Sequence, residues 1–170
     1  SLGEFTALAA ADALGFEDGL RVVRRRGELM QDACEASSGG MAAIVGLDEE
    51  KVRAVCEQTG VYLANLNCPG QIVVSGDADK MDTACAAAKT AGAKRAIPLP
   101  VAGAYHSPLM QPAQAGLAEA LAKVGLQSPR VPVFSNVTGQ AHGGADTIAA
   151  TMVDQVTSSV RWEACIRAMI

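Results

Sequence analysis

Three side chains of this sequence, a serine, a histidine and an arginine, are of types and in places that could do chemistry. Ser1 opens the run Ser1-Leu2-Gly3-Glu4, which leads directly into an Ala-rich stretch. A serine there reads as an ordinary N-cap, or as the second half of a G-x-S-x-G nucleophile elbow. In an elbow the helix N-terminus and the next backbone N–H stabilise an oxyanion. A serine at a literal N-terminus could also use its own amine as a base. His106, in Ala104-Tyr105-His106-Ser107-Pro108, falls between an expected strand end and a helix start. Loops at such places present catalytic groups, and a neutral imidazole can take a serine proton near neutral pH. A lone loop histidine is also commonly structural. The only other histidine, His142, sits in the polar turn Gln140-Ala141-His142-Gly143-Gly144 and is expected on the surface.

Arg26 is the third candidate. In Arg24-Arg25-Arg26 the first two share helix faces with Glu17, Arg21, Glu28 and Asp32, the pattern of surface ion pairs. Arg26 lies instead on the row Gly19, Val22, Arg26, Leu29, Ala33, as its only charge. A buried guanidinium must meet an anion. That anion is either an internal carboxylate or a substrate carboxylate held bidentately.

Hydrophobic periodicity supplies the elements that must position these groups. Leu2–Leu14 and Glu17–Cys34 read as helices, the second with an apolar stripe Phe16, Leu20, Val23, Gly27, Met30, Cys34. Ser37–Gly40 is a break. Strand patterns follow at Met41–Val45, Val61–Leu66, Gln71–Ser75 and Arg95–Val101. Between them lie a helix capped by Asp48 and running to about Gln58, and another from Asp77 to near Gly92. Pro98 and Pro100 make the last strand an expected edge. The order βαββαβ predicts a compact ferredoxin-like unit at 41–101. The flanks, 1–40 and 102–170, read as an α/β layer. They comprise a loop at Ala102–Pro108, a helix to about Val124, a strand at Val131–Val137, and helices at Ala145–Val156 and Trp162–Ile170.

Composition bounds the rest. The 170 residues carry 49% hydrophobic and 19% charged residues, enough apolar mass for a core and too much for disorder. A net charge of −4 argues against binding nucleic acid through bulk charge. No apolar run reaches the ~18 residues of a membrane span, and the start lacks the basic region of a signal peptide. Five cysteines without a CxxC suggest neither a zinc site nor a disulfide framework, so reduced thiols in a cytoplasmic setting are expected. The first methionine is Met30, so a fragment or a processed chain is expected.

Five segments occur together in one order: Ser-Leu-Gly-Glu-Phe-Thr-Ala-Leu at 1–8, Val-Arg-Arg-Arg-Gly-Glu-Leu-Met-Gln at 23–31, Gly-Met-Ala-Ala-Ile-Val-Gly at 40–46, Asn-Leu-Asn-Cys-Pro-Gly-Gln-Ile-Val-Val-Ser-Gly at 65–76, and Tyr-His-Ser-Pro-Leu-Met at 105–110. The sequence thereby resembles, over nearly its whole length, the malonyl-CoA:acyl carrier protein transacylase family of fatty acid and polyketide synthesis. The resemblance implies an α/β-hydrolase-like large domain with an inserted ferredoxin-like small domain. It implies Ser1 as nucleophile, His106 as catalytic base, Arg26 as clamp for the malonyl carboxylate, and Leu2 as one oxyanion N–H. Gln155 would orient the histidine through its backbone carbonyl, Tyr105 would stand in the acyl site, and Lys94 and Arg95, which also read as two plain solvent charges, would contact the acidic carrier protein; Asn65, Asn67 and Gln71 read as either pocket-lining or turn residues. A large Tyr105 goes with malonyl rather than methylmalonyl. Malonyl-CoA and acyl carrier protein are the implied partners of an expected monomer, with no cofactor. The family's Gly-His before the serine, its Gly-Gln-Gly segment and its C-terminal part do not occur in these residues, so an incomplete oxyanion hole is expected. Rival readings are an acyltransferase domain of a polyketide or multidomain fatty acid synthase, a serine hydrolase, and a catalytically incomplete interaction fragment.

Overall fold

In the computed structural model, which describes residues 1–170, the chain forms α1 (Leu2–Ala10), α2 (Phe16–Glu35), β1 (Gly39–Val45), α3 (Glu49–Thr59), β2 (Tyr62–Cys68), β3 (Gln71–Asp77), α4 (Met81–Thr90), β4 (Arg95–Pro98), α5 (Pro112–Leu121), α6 (Ala145–Asp154) and α7 (Trp162–Met169). The four strands make one antiparallel sheet in the order β2-β3-β1-β4. Side-chain alternation gives this sheet two apolar faces. Ala42, Ile44, Ile72 and Val74 pack on Val52, Val55 and Cys56 of α3 and on Met81, Ala84, Cys85 and Ala88 of α4. Met41 and Val73 face the other way, toward Ala64 and Tyr105. The Asp48 carboxylate accepts the Lys51 N–H at 2.9 Å and caps α3. β4 lies at the sheet edge, where Pro98 breaks no inner ladder.

A second core joins α1, α2, α5 and α6 through Phe5, Leu8, Val22, Met30, Leu117, Leu121, Ile148 and Met152. Here α2 buries Met30 and Cys34 of the expected stripe but turns away from it at Phe16, Leu20 and Gly27. Gly19, Val22, Arg26, Met30, Ala33 and Cys34 are buried, whereas Phe16 is 73% and Leu20 52% exposed. Small Gly19 lets α2 approach Leu14 closely, and Phe16 and Leu20 are left beside an open apolar groove of about 450 Å³ against α1. Three further expectations need correction. α1 ends at Ala10, because Asp12 takes a left-handed φ of 59° and turns the chain. The helix after His106 is split into a 3-10 turn, Pro108–Met110, and α5, with a proline opening each. Residues 131–137 form no strand; Phe134 makes a single antiparallel bridge with Ala141, and Pro132 has no N–H to extend it. The flanks are therefore helical around the sheet, without ladder strands of their own.

Two contacts join the cores. Val160 bridges in parallel with Asn65, exchanging 2.8 Å backbone bonds with Ala64 and Leu66, while Ser159 Oγ donates to the Leu63 carbonyl at 2.6 Å. The loop before His106 passes between β1 and α2 with no room to spare. A Cβ on Gly39 would lie 2.4 Å from the Ala104 nitrogen, and one on Gly103 would lie 2.3 Å from Cys34 Sγ. No helix is long and apolar enough to cross a membrane.

Gly39→Ala should destabilise the protein by about 1–3 kcal/mol, because the clash is with backbone and no rotamer relieves it. Urea unfolding measures this, and an unchanged midpoint would contradict the close approach.

Candidate active site

Ser1 occupies the N-cap position of α1, yet its side chain caps no backbone N–H. Its hydroxyl instead accepts a hydrogen bond from Arg26 Nη2 at 3.1 Å. Leu2 is the first helical residue, 57% exposed, and its N–H belongs to the turn that lacks intrahelical acceptors. Ser1 thus stands at the positive end of a helix beside a cation, an electrostatic setting suited to a developing oxyanion.

Arg26 is 8% exposed, and no carboxylate lies within ion-pair distance of it. Arg24 and Arg25, by contrast, both pair with Glu28 on the surface. Besides Ser1, Arg26 Nη2 donates to Gln155 Oε1 at 3.0 Å, and the guanidinium sits 5.7 Å from the centre of the Phe5 ring. Its Nε is buried with no partner. Burial pulls its pKa below that of a free arginine, and the charge of Glu4 opposes the shift. The guanidinium remains charged and has donors to spare.

His106 is 6% exposed and adopts a left-handed φ of 58°, a conformation that costs a non-glycine residue about 1–3 kcal/mol. The next residue holds it there. Ser107 Oγ donates to the Ala104 carbonyl and accepts the Leu109 N–H at 3.3 Å. His106 Nδ1 lies 2.9 Å from the Gln155 carbonyl and 3.2 Å from that of Ser158. Carbonyls only accept, so Nδ1 carries the proton and Nε2 keeps a lone pair. Burial pushes the pKa down to about 4 against the opposing effect of these two bonds. The imidazole is a neutral base at physiological pH.

Gln155, fully buried just after α6, connects these groups. Its backbone carbonyl meets His106, its Oε1 meets Arg26, and its Nε2 donates to the Ser1 carbonyl at 3.2 Å and to Glu4 Oε2 at 2.7 Å. Ser1 and His106 are linked through Gln155 rather than by a direct hydrogen bond. Two members of this network escaped the sequence reading. Glu4 was read only as a neighbour of Ser1, although it lies one turn along the same helix. His142 is not on the surface: its side chain is 1% exposed and its Nε2 is 2.7 Å from Glu4 Oε1. The His142 N–H donates to the Val133 carbonyl, which folds the Gly-rich turn back over the α1 carboxylate.

The other candidate residues are more dispersed. Asn65 and Asn67 line a cavity of about 640 Å³ with Ser1, Asn136 and Trp162. His106 opens on a second cavity of similar size, with Arg53, Ser158 and Arg161. Tyr105 lines neither; it is half-buried between the two cores. Lys94 and Arg95 are exposed at the start of β4 and line neither cavity.

A helix-borne serine, a neutral histidine held by carbonyls and a buried arginine with free donors are thus tied together through one glutamine. The family model described as "Acyl transferase domain" matches residues 1–170, and the chain belongs to that family. It is 46% identical over 175 aligned residues to a malonyl CoA-acyl carrier protein transacylase of Bacillus subtilis, covering 100% of this chain and 55% of that one. Among solved structures, an acyl-carrier-protein S-malonyltransferase of Burkholderia pseudomallei superposes with a TM-score of 0.96 at 42% identity, over 99% of this chain and 56% of that one. A malonyl-transacylase in complex with its type II polyketide acyl-carrier protein superposes with a TM-score of 0.89 at 37% identity, over 94% and 53%. The fold is α/β, as in those structures. The chain spans about half the length of the curated relatives it matches.

The unfolded chain takes up the His106 proton near pH ~6.5, the folded chain only near pH 4. The stability this residue contributes is therefore full above about pH 6.5 and declines as the pH falls toward 4. Nitrogen NMR of His106 should find a neutral ring, protonated on Nδ1, from about pH 5 to 8. Titration near the ordinary value would refute the buried, carbonyl-bound ring.

Proposed function

We propose that this chain carries the centre that transfers a malonyl group from malonyl-CoA to the pantetheine thiol of acyl carrier protein, through a malonyl-serine intermediate, to supply fatty acid synthesis. The observation that carries the reading is Arg26, a buried guanidinium that touches the Ser1 hydroxyl and has no carboxylate of its own. A dicarboxylic acyl group bound at Ser1 would bring the missing anion. Acetyl would leave the cation unpaired, and this gives the site a reason to discriminate.

In this mechanism His106 Nε2 takes the Ser1 Oγ proton as the oxygen attacks the thioester carbonyl. The Leu2 N–H bonds the oxyanion at the mouth of α1. The tetrahedral intermediate collapses, the C–S bond breaks, and His106 returns its proton to the coenzyme A thiolate. The carrier thiol then gives its proton to His106 and attacks the ester; the ester C–O bond breaks, His106 returns the proton to Ser1 Oγ, and the malonyl group leaves as the carrier thioester. Gln155 keeps the imidazole oriented through both halves. The sequence needs no cofactor; coenzyme A comes and goes as part of the substrate.

Several finer assignments belong to the same reading. Residues 1–40 and 102–170 would be parts of an α/β-hydrolase-like domain, and 41–101 a ferredoxin-like insert; the two apolar cores and the strand order support this division. Asn67 would contact the acyl-pantetheine arm. Tyr105 would act on acyl choice through the packing of the His106 loop. Exposed Lys94 and Arg95 would receive the acidic carrier protein, with the centre acting in the cytoplasm, where the five unpaired cysteines would stay reduced. The named complex with a polyketide carrier protein favours a second reading, in which the same chemistry loads a polyketide carrier.

Brief mixing with malonyl-CoA followed by intact-mass spectrometry should find a malonyl adduct that Ser1→Ala abolishes. Arg26→Ala should lower malonyl transfer by about two orders of magnitude or more and acetyl transfer far less. Equal losses would remove the carboxylate role.

A further inference from the structure

Glu4 and His142 are the most deeply buried ionisable pair in the protein, with side chains 0% and 1% exposed. A carboxylate buried so near a buried guanidinium would ordinarily pair with it directly. Glu4 is turned elsewhere. Its Oε1 is taken by His142 Nε2 at 2.7 Å, and its Oε2 by Gln155 Nε2 at 2.7 Å and the Asn136 N–H at 3.0 Å. Gln155 stands between the two charges, and its amide has one possible orientation. The carboxylate can only accept and the guanidinium can only donate, so Nε2 must face Glu4 and Oε1 must face Arg26.

Direct pairing would occupy the forked donors of Arg26, and an incoming carboxylate would have to displace Glu4. The observed arrangement offsets the charge through a neutral amide instead. Arg26 spends one nitrogen, Nη2, on neutral acceptors, and neither Nη1 nor Nε bonds to the protein. Coulombic support from Glu4 still reaches the guanidinium.

We propose that Glu4 and His142 form a displaced counter-ion for Arg26: Glu4 balances its charge through Gln155, while His142 holds Glu4 back, so that the unbonded Nη1 of the guanidinium stays free for a carboxylate-bearing acyl group. This rests on the reading above, that Arg26 binds the acyl carboxylate. Both are positioning residues, since neither touches a reacting atom. Without the His142 bond, Glu4 Oε1 turns toward Arg26 and competes with substrate.

The test compares kcat and KM of the purified protein for malonyl-CoA and acetyl-CoA with carrier protein as acceptor. His142→Leu should raise KM for malonyl-CoA about tenfold, the scale of one interaction with a charged group, and shift kcat/KM for acetyl-CoA by less than about threefold. His142→Gln, whose amide can donate to Glu4 as the imidazole does, should keep the parent KM. Adding Glu4→Gln to His142→Leu should restore malonyl selectivity, because no carboxylate remains to compete. Equal losses for both donors, no change with either, or failure of the double variant to recover would overturn the proposal. Should His142→Leu not fold, loss of selectivity in His142→Gln would overturn it as well. Arg26→Ala, run alongside, separates the two levels. If it discriminates between donors and His142→Leu does not, only the counter-ion proposal fails; if Arg26→Ala does not discriminate, the carboxylate reading fails and the proposal with it.

Discussion

A guanidinium inside a protein loses several kcal/mol of hydration and must find it again in hydrogen bonds and charge. Arg26 imposes that requirement in the middle of α2, and the surrounding architecture answers it piece by piece. α1 contributes the Phe5 ring and the Ser1 hydroxyl, and the end of α6 contributes the Gln155 amide. None of these brings a formal charge into contact. The nearest compensating carboxylate is separated from Arg26 by a side-chain amide. The cation is therefore solvated by the protein without being neutralised at close range.

Gln155 makes this requirement and the histidine's geometry a single problem. Its side chain cannot serve Arg26 and Glu4 without fixing its backbone, and that backbone carbonyl is what holds His106 Nδ1. The next turn supplies the Ser158 carbonyl to the same nitrogen, and the residues after it attach to β2 through Ser159 and Val160. The small sheet thus steadies the histidine while α2 steadies the serine. The left-handed backbone at His106 is held by the Ser107 hydrogen bonds, and the loop ahead of it runs close against Gly39 and Cys34. Distant core packing sets the site geometry in this way, since neither core alone holds all three groups.

Much of this was legible along the chain where a single period governs. The β1–β4 pattern and its edge proline depend on local alternation and turn residues, so strands and helices fell within a few residues of where the periodicity put them. Arg26 was legible for a similar reason, as the one charge on an otherwise apolar row. Phe16 and Leu20 were misread because the stripe counts hydrophobicity, whereas packing against Leu14 rewards the small side chain of Gly19. His142 was misread because a Gly-rich turn looks solvent-exposed until its backbone bond to Val133 folds it over α1. Glu4 carried a usable signal, an acidic residue one turn after the candidate nucleophile on an apolar helix. Its partners lie far away in sequence, and periodicity cannot name them.

The absence of an acidic residue behind His106 follows from the same electrostatics. In a serine–histidine–aspartate triad, a buried carboxylate against Nδ1 stabilises the imidazolium that forms during the reaction. Here two carbonyls orient the ring, and the imidazole stays neutral with a pKa near 4. A carboxylate in that position would raise the pKa, and it would also place a negative charge close to the one cation the site keeps free. Carbonyl orienters give up some imidazolium stabilisation and leave the local potential positive. With Glu4 restrained by His142 and no acid at Nδ1, the protein keeps its own carboxylates out of contact with Arg26, which is the condition the proposed acyl carboxylate would need to reach it.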